Sequence, residues 1–215
     1  TYTPTKNKLI IYYLFEDTKN EASTTFEGTF NTDEEYSINS PEITGYTYSQ
    51  NSIDGKMTVN GREETVWYTP NSYTVEFDSN GGTVSETTRT VIFGNTYNFD
   101  GSEYRELPTP ERLGYTFDGW YYETEKIENS SKVTVAQSHI LVAKWTPSKF
   151  KFIVKYIYDS DGSQAFEDYV LNEVEYDTDY TAPVPNLDGY ISIPSTISGK
   201  MPAGNLIVEV RYRAN

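Results

Sequence analysis

Hydrophobic and polar side chains alternate along much of this chain. In the segments 73–78, 150–158 and 208–213, apolar or aromatic residues occupy every second position. A period of two places those residues on one face of a β-strand. Thr, Val, Ile and Tyr dominate these segments, and a half-buried sheet prefers that composition. The pattern predicts a mainly β or α+β chain, in which the one helical candidate is a short segment at 33–39.

A short phrase, an aromatic residue followed by Thr and Pro, punctuates the chain. It occurs as Tyr2-Thr3-Pro4, Tyr68-Thr69-Pro70 and Trp145-Thr146-Pro147. Proline fixes its own φ and confines the preceding residue to extended backbone, so each phrase ends one strand and the next strand soon follows. We therefore predict three modules, at 1–70, 71–147 and 148–215, and a further module upstream of the first phrase. The short linkers favour an elongated array with little freedom to bend.

The first and last thirds of the chain repeat one another with one residue of slippage. For example, Gly55-Lys56-Met57 matches Gly199-Lys200-Met201, and Tyr68 matches Tyr212. All three thirds also carry the pattern P-x-x-x-G-Y, at 41–46, 110–115 and 185–190. Proline stops strand pairing, Gly allows a turn and Tyr begins the next strand. We expect one strand order in all three modules, with this pattern before an equivalent strand.

Four phrases of the middle third form a long ordered set. They are YTVEFDSNGGTV at 73–84, LPTP at 107–110, GYTFDGWY at 114–121 and LVAKW at 141–145. This set resembles the Listeria–Bacteroides repeat, the B repeat of internalin-type surface proteins. The resemblance implies a small ubiquitin-like β-grasp module. We expect Trp120 and Trp145 to lie in its core, because burying such large rings is strongly favourable.

The outer thirds carry a second set of phrases. The last third has KYIYDSDG at 155–162, DGY at 188–190 and VEVRY at 208–212, and the first third keeps part of this set. These modules look like the mucin-binding-protein (MucBP) repeat of Gram-positive surface proteins. The resemblance implies β-grasp modules in an extracellular, cell-wall-attached protein. It implies no catalytic residues and no cofactor, and its name suggests host mucin or another glycoprotein as a candidate partner.

Composition narrows the classes of partner. The chain has 215 residues, 20 Tyr, 10 Phe, 3 Trp, no Cys and a net charge of −15. That charge argues against nucleic acid and anionic membranes, because phosphate binding needs clustered Lys and Arg. The absence of Cys excludes disulfides and thiolate chemistry. No apolar run approaches the roughly 20 residues that span a bilayer, so we expect no membrane insertion.

Three polar features are candidates for metal binding or catalysis. The phrases Asp159-Ser160-Asp161-Gly162 and Asp78-Ser79-Asn80-Gly81-Gly82 superficially resemble calcium loops, but they lack the further ligands that an EF-hand needs, and we interpret both as turns. The single histidine, His139, is expected to be a polar residue at a strand edge. Paired carboxylates for glycoside hydrolysis need a deep cleft, which modules of this size can hardly supply. We therefore expect no enzyme and no metal site.

Adjacent aromatic pairs supply the candidate binding residues. Successive strand residues point to opposite faces, so one ring of each pair faces outward, where it can bind a ligand, cover the sheet or pack between modules. The outward candidates are Tyr12, Trp67 and Tyr122. Two hypotheses follow. Either the modules form a stalk that projects an adhesive tip, or they themselves bind host mucin, glycan or a protein receptor. An exposed aromatic patch recurring at equivalent positions in the outer modules would favour binding.

Overall fold

The computed structural model describes residues 5–215, so the phrase Tyr2-Thr3-Pro4 lies outside the described residues. Within that range, all elements of regular secondary structure are β-strands, so the prediction of a mainly β chain is confirmed. No described helix is long and apolar enough to cross a membrane.

The first third forms a four-stranded sheet in the order β2-β1-β6-β4 and a separate strand pair. The strands are β1 (Lys6–Phe15), β2 (Glu21–Asn31), β3 (Glu35–Asn39), β4 (Tyr46–Tyr48), β5 (Ser52–Lys56) and β6 (Arg62–Pro70). β1 pairs antiparallel with β2 and parallel with β6, while β3 pairs with β5. We call the four-stranded sheet the first sheet.

The middle third forms a five-stranded sheet in the order β10-β9-β11-β7-β8. Its strands are β7 (Ser72–Asp78), β8 (Thr88–Ile92), β9 (Tyr115–Tyr122), β10 (Glu125–Ile127) and β11 (His139–Pro147). The last third repeats the first, with a four-stranded last sheet in the order β13-β12-β17-β15 and a β14-β16 pair. Its strands are β12 (Lys149–Tyr158), β13 (Gln164–Glu175), β14 (Asp179–Ala182), β15 (Tyr190–Ile193), β16 (Ile197–Lys200) and β17 (Leu206–Ala214).

One strand order is shared by the three sheets. In each, the opening strand lies between its hairpin partner and the closing strand, and a crossover strand pairs with the far side of the closing strand. The crossover strands β4, β9 and β15 begin at the tyrosines of the P-x-x-x-G-Y pattern. The preceding glycines have φ of 82°, 77° and 81°, in the left-handed region that favours Gly. The predicted common order is confirmed; the β-grasp assignment stays a prediction.

The chain divides into two compact units. The first runs up to Glu76 and adds Glu86–Leu107 and Ile127–Leu141; the second comprises Phe77–Ser85, Pro108–Lys126 and Val142–Asn215. The first sheet therefore belongs to the first unit and the last sheet to the second. The three module boundaries stay a prediction.

The cores of the first and last sheets use matching positions. On one face of each, alternate residues of the opening and closing strands are buried, as the period of two predicts. In the first sheet these are Leu9, Ile11, Tyr13, Val66 and Tyr68. In the last sheet they are Phe152, Val154, Tyr156, Val210 and Tyr212. The Tyr68 hydroxyl donates to Pro41 O at 2.6 Å and the Tyr212 hydroxyl to Pro185 O at 2.7 Å, so both buried phenols are satisfied.

The repeated Gly-Lys-Met phrase has a packing explanation. A Cβ at Gly55 would meet the Tyr36 hydroxyl at 2.9 Å, and one at Gly199 would meet the Tyr180 hydroxyl at 2.7 Å. The glycine thus leaves room for a tyrosine on the paired strand. The methionine that follows is buried in both cores.

The helix expected at 33–39 is wrong. Asp33 has φ of 64°, which a right-handed helix does not allow. From Glu35 the chain runs as strand β3, which pairs antiparallel with β5 and buries Tyr36. Pairing with a distant strand overrides the local sequence preference here.

Two expectations for the middle sheet need correction. Trp120 is 2% exposed and donates from Nε1 to Pro108 O at 2.7 Å, as a core residue should. Trp145 is only half-buried, with its Nε1 donating to Ser79 O at 3.0 Å. His139 does not lie at a sheet edge: it opens β11, an interior strand, and is buried. Its Nε2 lies 2.8 Å from the hydroxyl of Tyr97, which explains how a polar ring is accommodated there.

Candidate binding surface

The first sheet places two of the candidate aromatics, Tyr12 and Trp67, on one face. Tyr13 points into the core, so its neighbours Tyr12 and Leu14 point outward. Leu14 on β1 is the register partner of Trp67 on the parallel strand β6. Tyr12 and Trp67 therefore share the outer face of the first sheet, on adjacent strands.

Trp67 has its own contacts on that face. The Nζ of Lys19 lies 4.5 Å from the indole centroid, a cation–π arrangement. The Trp67 N–H donates to Ser49 Oγ at 3.0 Å, and the Ser49 N–H donates to Trp67 O at 2.8 Å. Tyr12 and Trp67 are both half-buried. A flat ligand stacking on the indole would have to share this ring with the Lys19 ammonium.

Tyr122 is the last residue of β9 in the second unit, and it too is half-buried. The neighbouring Tyr121 ring has the Lys144 Nζ 3.8 Å from its centroid. The binding roles of Tyr12, Trp67 and Tyr122 stay a prediction.

The outer face of the last sheet does not repeat the pair Tyr12 and Trp67. By the strand register, Lys155 takes the place of Tyr12 and Arg211 that of Trp67. Lys155 is exposed, and Arg211 pairs with Glu209 at 2.7 Å. At these two positions, the aromatic patch that would have favoured binding by both outer modules does not recur.

The acidic phrase at 159–162 forms the predicted turn between β12 and β13. Asp161 Oδ1 accepts from the Ser163 N–H at 2.9 Å and hydroxyl at 2.7 Å, and these hydrogen bonds lower the pKa of Asp161. The Asp159 carboxylate pairs with Arg213 at 2.8 Å. Both carboxylates thus have partners within the protein, and the turn interpretation is confirmed.

The phrase at 78–82 forms a tight turn. Gly82 donates to Ser79 O at 3.1 Å, and the two residues between, Asn80 and Gly81, have φ of 47° and 87°. Two successive positive φ values are what a type I′ turn requires, and Asn-Gly supplies them at low cost. Across residues 5–215, no three His, Asp or Glu side chains group so as to hold a metal ion.

A second kind of site lies where the first sheet meets the following chain, within the first unit. The Asn71 N–H, one residue past Pro70, donates to Gly45 O at 2.8 Å, and the Phe93 N–H donates to Asn71 O at 2.9 Å. The Phe93 ring lies against Gly45, where a Cβ would clash, and edge-on to Tyr46 at 5.6 Å. We call this arrangement a Gly-Tyr junction.

The second unit contains another Gly-Tyr junction with the same geometry. The Ser148 N–H, one residue past Pro147, donates to Gly114 O at 2.9 Å, and the Tyr176 N–H donates to Ser148 O at 2.9 Å. The Tyr176 ring covers Gly114 and meets Tyr115 edge-on at 5.5 Å. Two different sequences therefore build the same joint from Gly, Tyr, one linker residue and one aromatic ring.

The sequence indicates half of each junction. The Gly-Tyr pair and the Thr-Pro phrase were visible as repeats, but they were interpreted as a turn and a boundary only. Phe93 and Tyr176 were missed because each follows a hairpin strand in a different module. Their shared signal is an aromatic residue immediately after the second strand of a module, β8 or β13.

Known proteins resemble the chain in part. Residues 73–144 match the model of the family described as the Listeria-Bacteroides repeat domain. Two proteins of Evansella cellulosilytica, whose names include the words "membrane protein" and "Gly-rich membrane protein", are each 33% identical over 54% of this chain. The chain spans only 15% and 12% of those two proteins.

Solved structures with some similarity include bacterial repeat proteins. A type 2 repeat of the mucus-binding protein MUB from Lactobacillus reuteri is 13% identical and covers 97% of this chain and 100% of its own, with a TM-score of 0.27. The Bacillus anthracis TIE protein is 11% identical and covers 97% and 51%, with a TM-score of 0.33. Such low scores carry no conclusion. The family match is limited to the middle of the chain, residues 73–144.

Proposed function

We propose that this chain is a non-catalytic repeat segment of a bacterial cell-surface protein and acts as a stiff spacer that projects an adhesive tip. The observation that carries the proposal is the Gly-Tyr junction, which occurs once in each compact unit with the same hydrogen bonds and ring geometry. A joint that is built twice in the same way points to selection for a fixed connection. Location on the outside of a Gram-positive cell, attached to the wall, is part of the proposal.

The junction resists bending for identifiable reasons. Two backbone hydrogen bonds tie the linker residue to both of its neighbours, and an edge-to-face ring pair adds about 0.5–1.5 kcal/mol. The Pro before the linker residue also pairs within its sheet, since Pro70 is in register with Tyr46 and Pro147 with Tyr115. The linker therefore has little freedom to rotate without breaking several contacts together.

Small-angle scattering of the purified chain tests the spacer. Strand rise suggests a maximum dimension of about 80–110 Å for three modules end to end. A compact globule of this length would instead have a radius of gyration of about 17 Å. Scattering from a compact particle would sink the proposal.

A matched pair of variants tests whether the junction supplies the stiffness. Gly45→Ala and Gly189→Ala impose the same left-handed backbone strain, because φ is 82° and 81°. Only Gly45→Ala places a Cβ against a ring, that of Phe93. A Cβ at Gly189 has no described heavy atom within 4 Å beyond its own residue and the two chain neighbours. We expect Gly45→Ala to broaden the distribution of scattering shapes and Gly189→Ala to leave it unchanged. Equal effects of the two would mean that the ring contact does not matter.

A binding role is the second candidate, supported by Tyr12 and Trp67 on one sheet face. Its ligand would be a mucin-type glycan or glycoprotein, since sugar rings stack on exposed aromatics. The test is a glycan and mucin binding screen of the full chain, with Tyr12→Ser and Trp67→Ser against Tyr104→Ser, whose side chain is 71% exposed at another place. Binding that only the first two variants abolish would move this role ahead of the spacer.

A further inference from the structure

The last sheet carries a third Gly-Tyr pair whose surroundings differ from the other two. Gly189 precedes Tyr190, the first residue of β15, and has the same left-handed φ of 81°. Gly45 is buried and Gly114 half-buried under an aromatic ring, but Gly189 is exposed. Apart from the glycine itself and its two chain neighbours, no heavy atom of the described residues 5–215 lies within 4 Å of a Cβ built at Gly189.

The backbone half of the junction is nevertheless in place. The Asn215 N–H donates to Gly189 O at 3.0 Å, as Asn71 does to Gly45 and Ser148 to Gly114. Tyr190 is in register with Ala214, the position that Pro70 and Pro147 hold opposite their tyrosines. The linker residue, the glycine and the tyrosine thus adopt the geometry of an occupied junction.

We propose that Gly189, Tyr190 and Asn215 form a docking site for a β-module of the same type as the middle and last ones. The partner is defined by its chemistry. The residue immediately after its second strand donates its backbone N–H to Asn215 O, and the aromatic ring of that residue covers Gly189 and meets Tyr190 edge-on. The proposal rests on the spacer function and extends it, since it names the kind of module that binds at Gly189 and Tyr190 of the last sheet.

The aromatic requirement follows from a comparison within the chain. In the first sheet the same backbone link exists, with the Thr32 N–H donating to Thr5 O at 3.1 Å. The residue at that position is Thr32, whose hydroxyl oxygen accepts a hydrogen bond from Asn7 Nδ2 at 3.0 Å and which offers no ring. A module presenting Phe93 or Tyr176 should therefore dock more firmly on Gly189 than one presenting Thr32.

The experiment appends residues 72–215 directly after Asn215 of the full chain, which places a second Phe93 beside Gly189. Because the chain has no cysteine, two engineered cysteines, Ser160→Cys in the original part and Ser85→Cys in the appended copy, accept spin labels selectively. Both serines are exposed. We expect one narrow label-to-label distance distribution by pulsed electron resonance. A broad distribution, as from a free tether, would overturn the proposal.

Variants separate docking from simple tethering. Tyr190→Ala, or Phe93→Thr in the appended copy only, should lower the docked-to-free ratio by about two- to twelvefold, the range that loss of one ring pair implies. Tyr190→Phe keeps the ring and should leave the distribution narrow. If the appended copy stays unfolded beside a folded original chain, the proposal also fails, because Phe93 packs against an equivalent Gly-Tyr pair at Gly45 in the native chain. Scattering of the native chain, the test of the spacer, is independent of all these outcomes.

Discussion

The first and last sheets have one fold and two different surfaces. Their inner faces bury aromatic and aliphatic residues at matching positions, including Tyr68 and Tyr212 with the same hydrogen bond to a proline carbonyl. On the outer face the central row reads Glu27, Ile10 and Glu63 in the first sheet. The fold therefore constrains the inner face and the junctions, while the outer face is free to vary.

The outer row of the last sheet carries apolar side chains at the positions where the outer row of the first sheet carries glutamates. Val170, Ile153 and Ile207 lie side by side on three adjacent strands, and the two outer members are 41% and 56% exposed. In the first sheet Glu27 also pairs with Lys8 at 2.8 Å. The two sheets thus meet solvent in different ways although their cores are equivalent.

Replacing a buried tyrosine in each core should have the largest effect on stability, and it tests whether the two cores are equivalent. Tyr68 and Tyr212 are 0% and 1% exposed, so replacing either by Ala leaves a cavity and an unpaired proline carbonyl. Each change should cost about 3–5 kcal/mol of unfolding free energy in its own sheet. Native-state hydrogen exchange, read separately for β1 and β12, measures it.

The control for that pair is Tyr104→Ala, because this ring is 71% exposed. It should cost far less than either core change. A first sheet that loses stability while the last sheet tolerates Tyr212→Ala would break the equivalence.

The second effect is a loss of stability at alkaline pH. Burial, with smaller contributions from the nearby Tyr13 and Tyr48, raises the pKa of Tyr68 to about 12; burial also raises the pKa of Tyr212. When the pKa of a tyrosine is higher in the folded than in the unfolded protein, folding gains stability from the neutral phenol. That gain is complete below the unfolded pKa of about 10. That contribution, about 2–3 kcal/mol for Tyr68, is lost as pH rises toward about 12.

Denaturant titrations between about pH 8 and 12 measure this loss. Because Phe cannot ionise, Tyr68→Phe should flatten the pH dependence of the first sheet and leave that of the last sheet unchanged. An unaltered slope in the variant would show that Tyr68 ionises normally in the folded protein.

The sequence predicts most reliably those features of the backbone that a single residue determines by itself. Proline and glycine restrict the backbone at their own positions, so the three crossover strands starting at Tyr46, Tyr115 and Tyr190 could be predicted without knowing any partner. Repetition then extended one strand order to all three sheets. Neither argument requires knowing which distant residues come into contact.

Features that depend on a distant partner were missed. The segment at 33–39 becomes a strand because β5 lies beside it, and His139 is accommodated in the interior by Tyr97. Phe93 completes a junction with Gly45, a residue of another predicted module. Alternation indicates which face a side chain occupies, but it does not indicate which distant residue meets it.

A third effect tests the Gly-Lys-Met explanation. Gly55→Ala and Gly199→Ala push a methyl group into the Tyr36 or Tyr180 hydroxyl, and overpacking of this kind costs about 1–3 kcal/mol. Tyr36 is 5% exposed and Tyr180 half-buried, so Gly55→Ala should cost more. Thermal unfolding measures the difference, with the exposed neighbour Ser198→Ala as a control. The opposite order would show that Tyr180 is the more rigidly held ring.

Exchanging the outer-row residues between the first and last sheets should have the smallest effect on stability. Val170→Glu with Ile207→Glu gives the last sheet the acidic row of the first, and Glu27→Val with Glu63→Ile does the reverse. Surface changes away from caps and cores usually alter stability by about 0.5 kcal/mol or less, so neither exchange should move the unfolding midpoint much. The measurable change is in self-association, because an exposed apolar row attracts other copies while added charge repels them.

Sedimentation at rising protein concentration distinguishes the two rows. The acidic last sheet should associate less than the native chain, and the apolar first sheet more. Equal sedimentation of all three would mean that Val170, Ile153 and Ile207 are too few to form an attractive surface. A large fall in stability on either exchange would contradict the comparison itself, because the outer face would then be constrained by the fold as the inner face is.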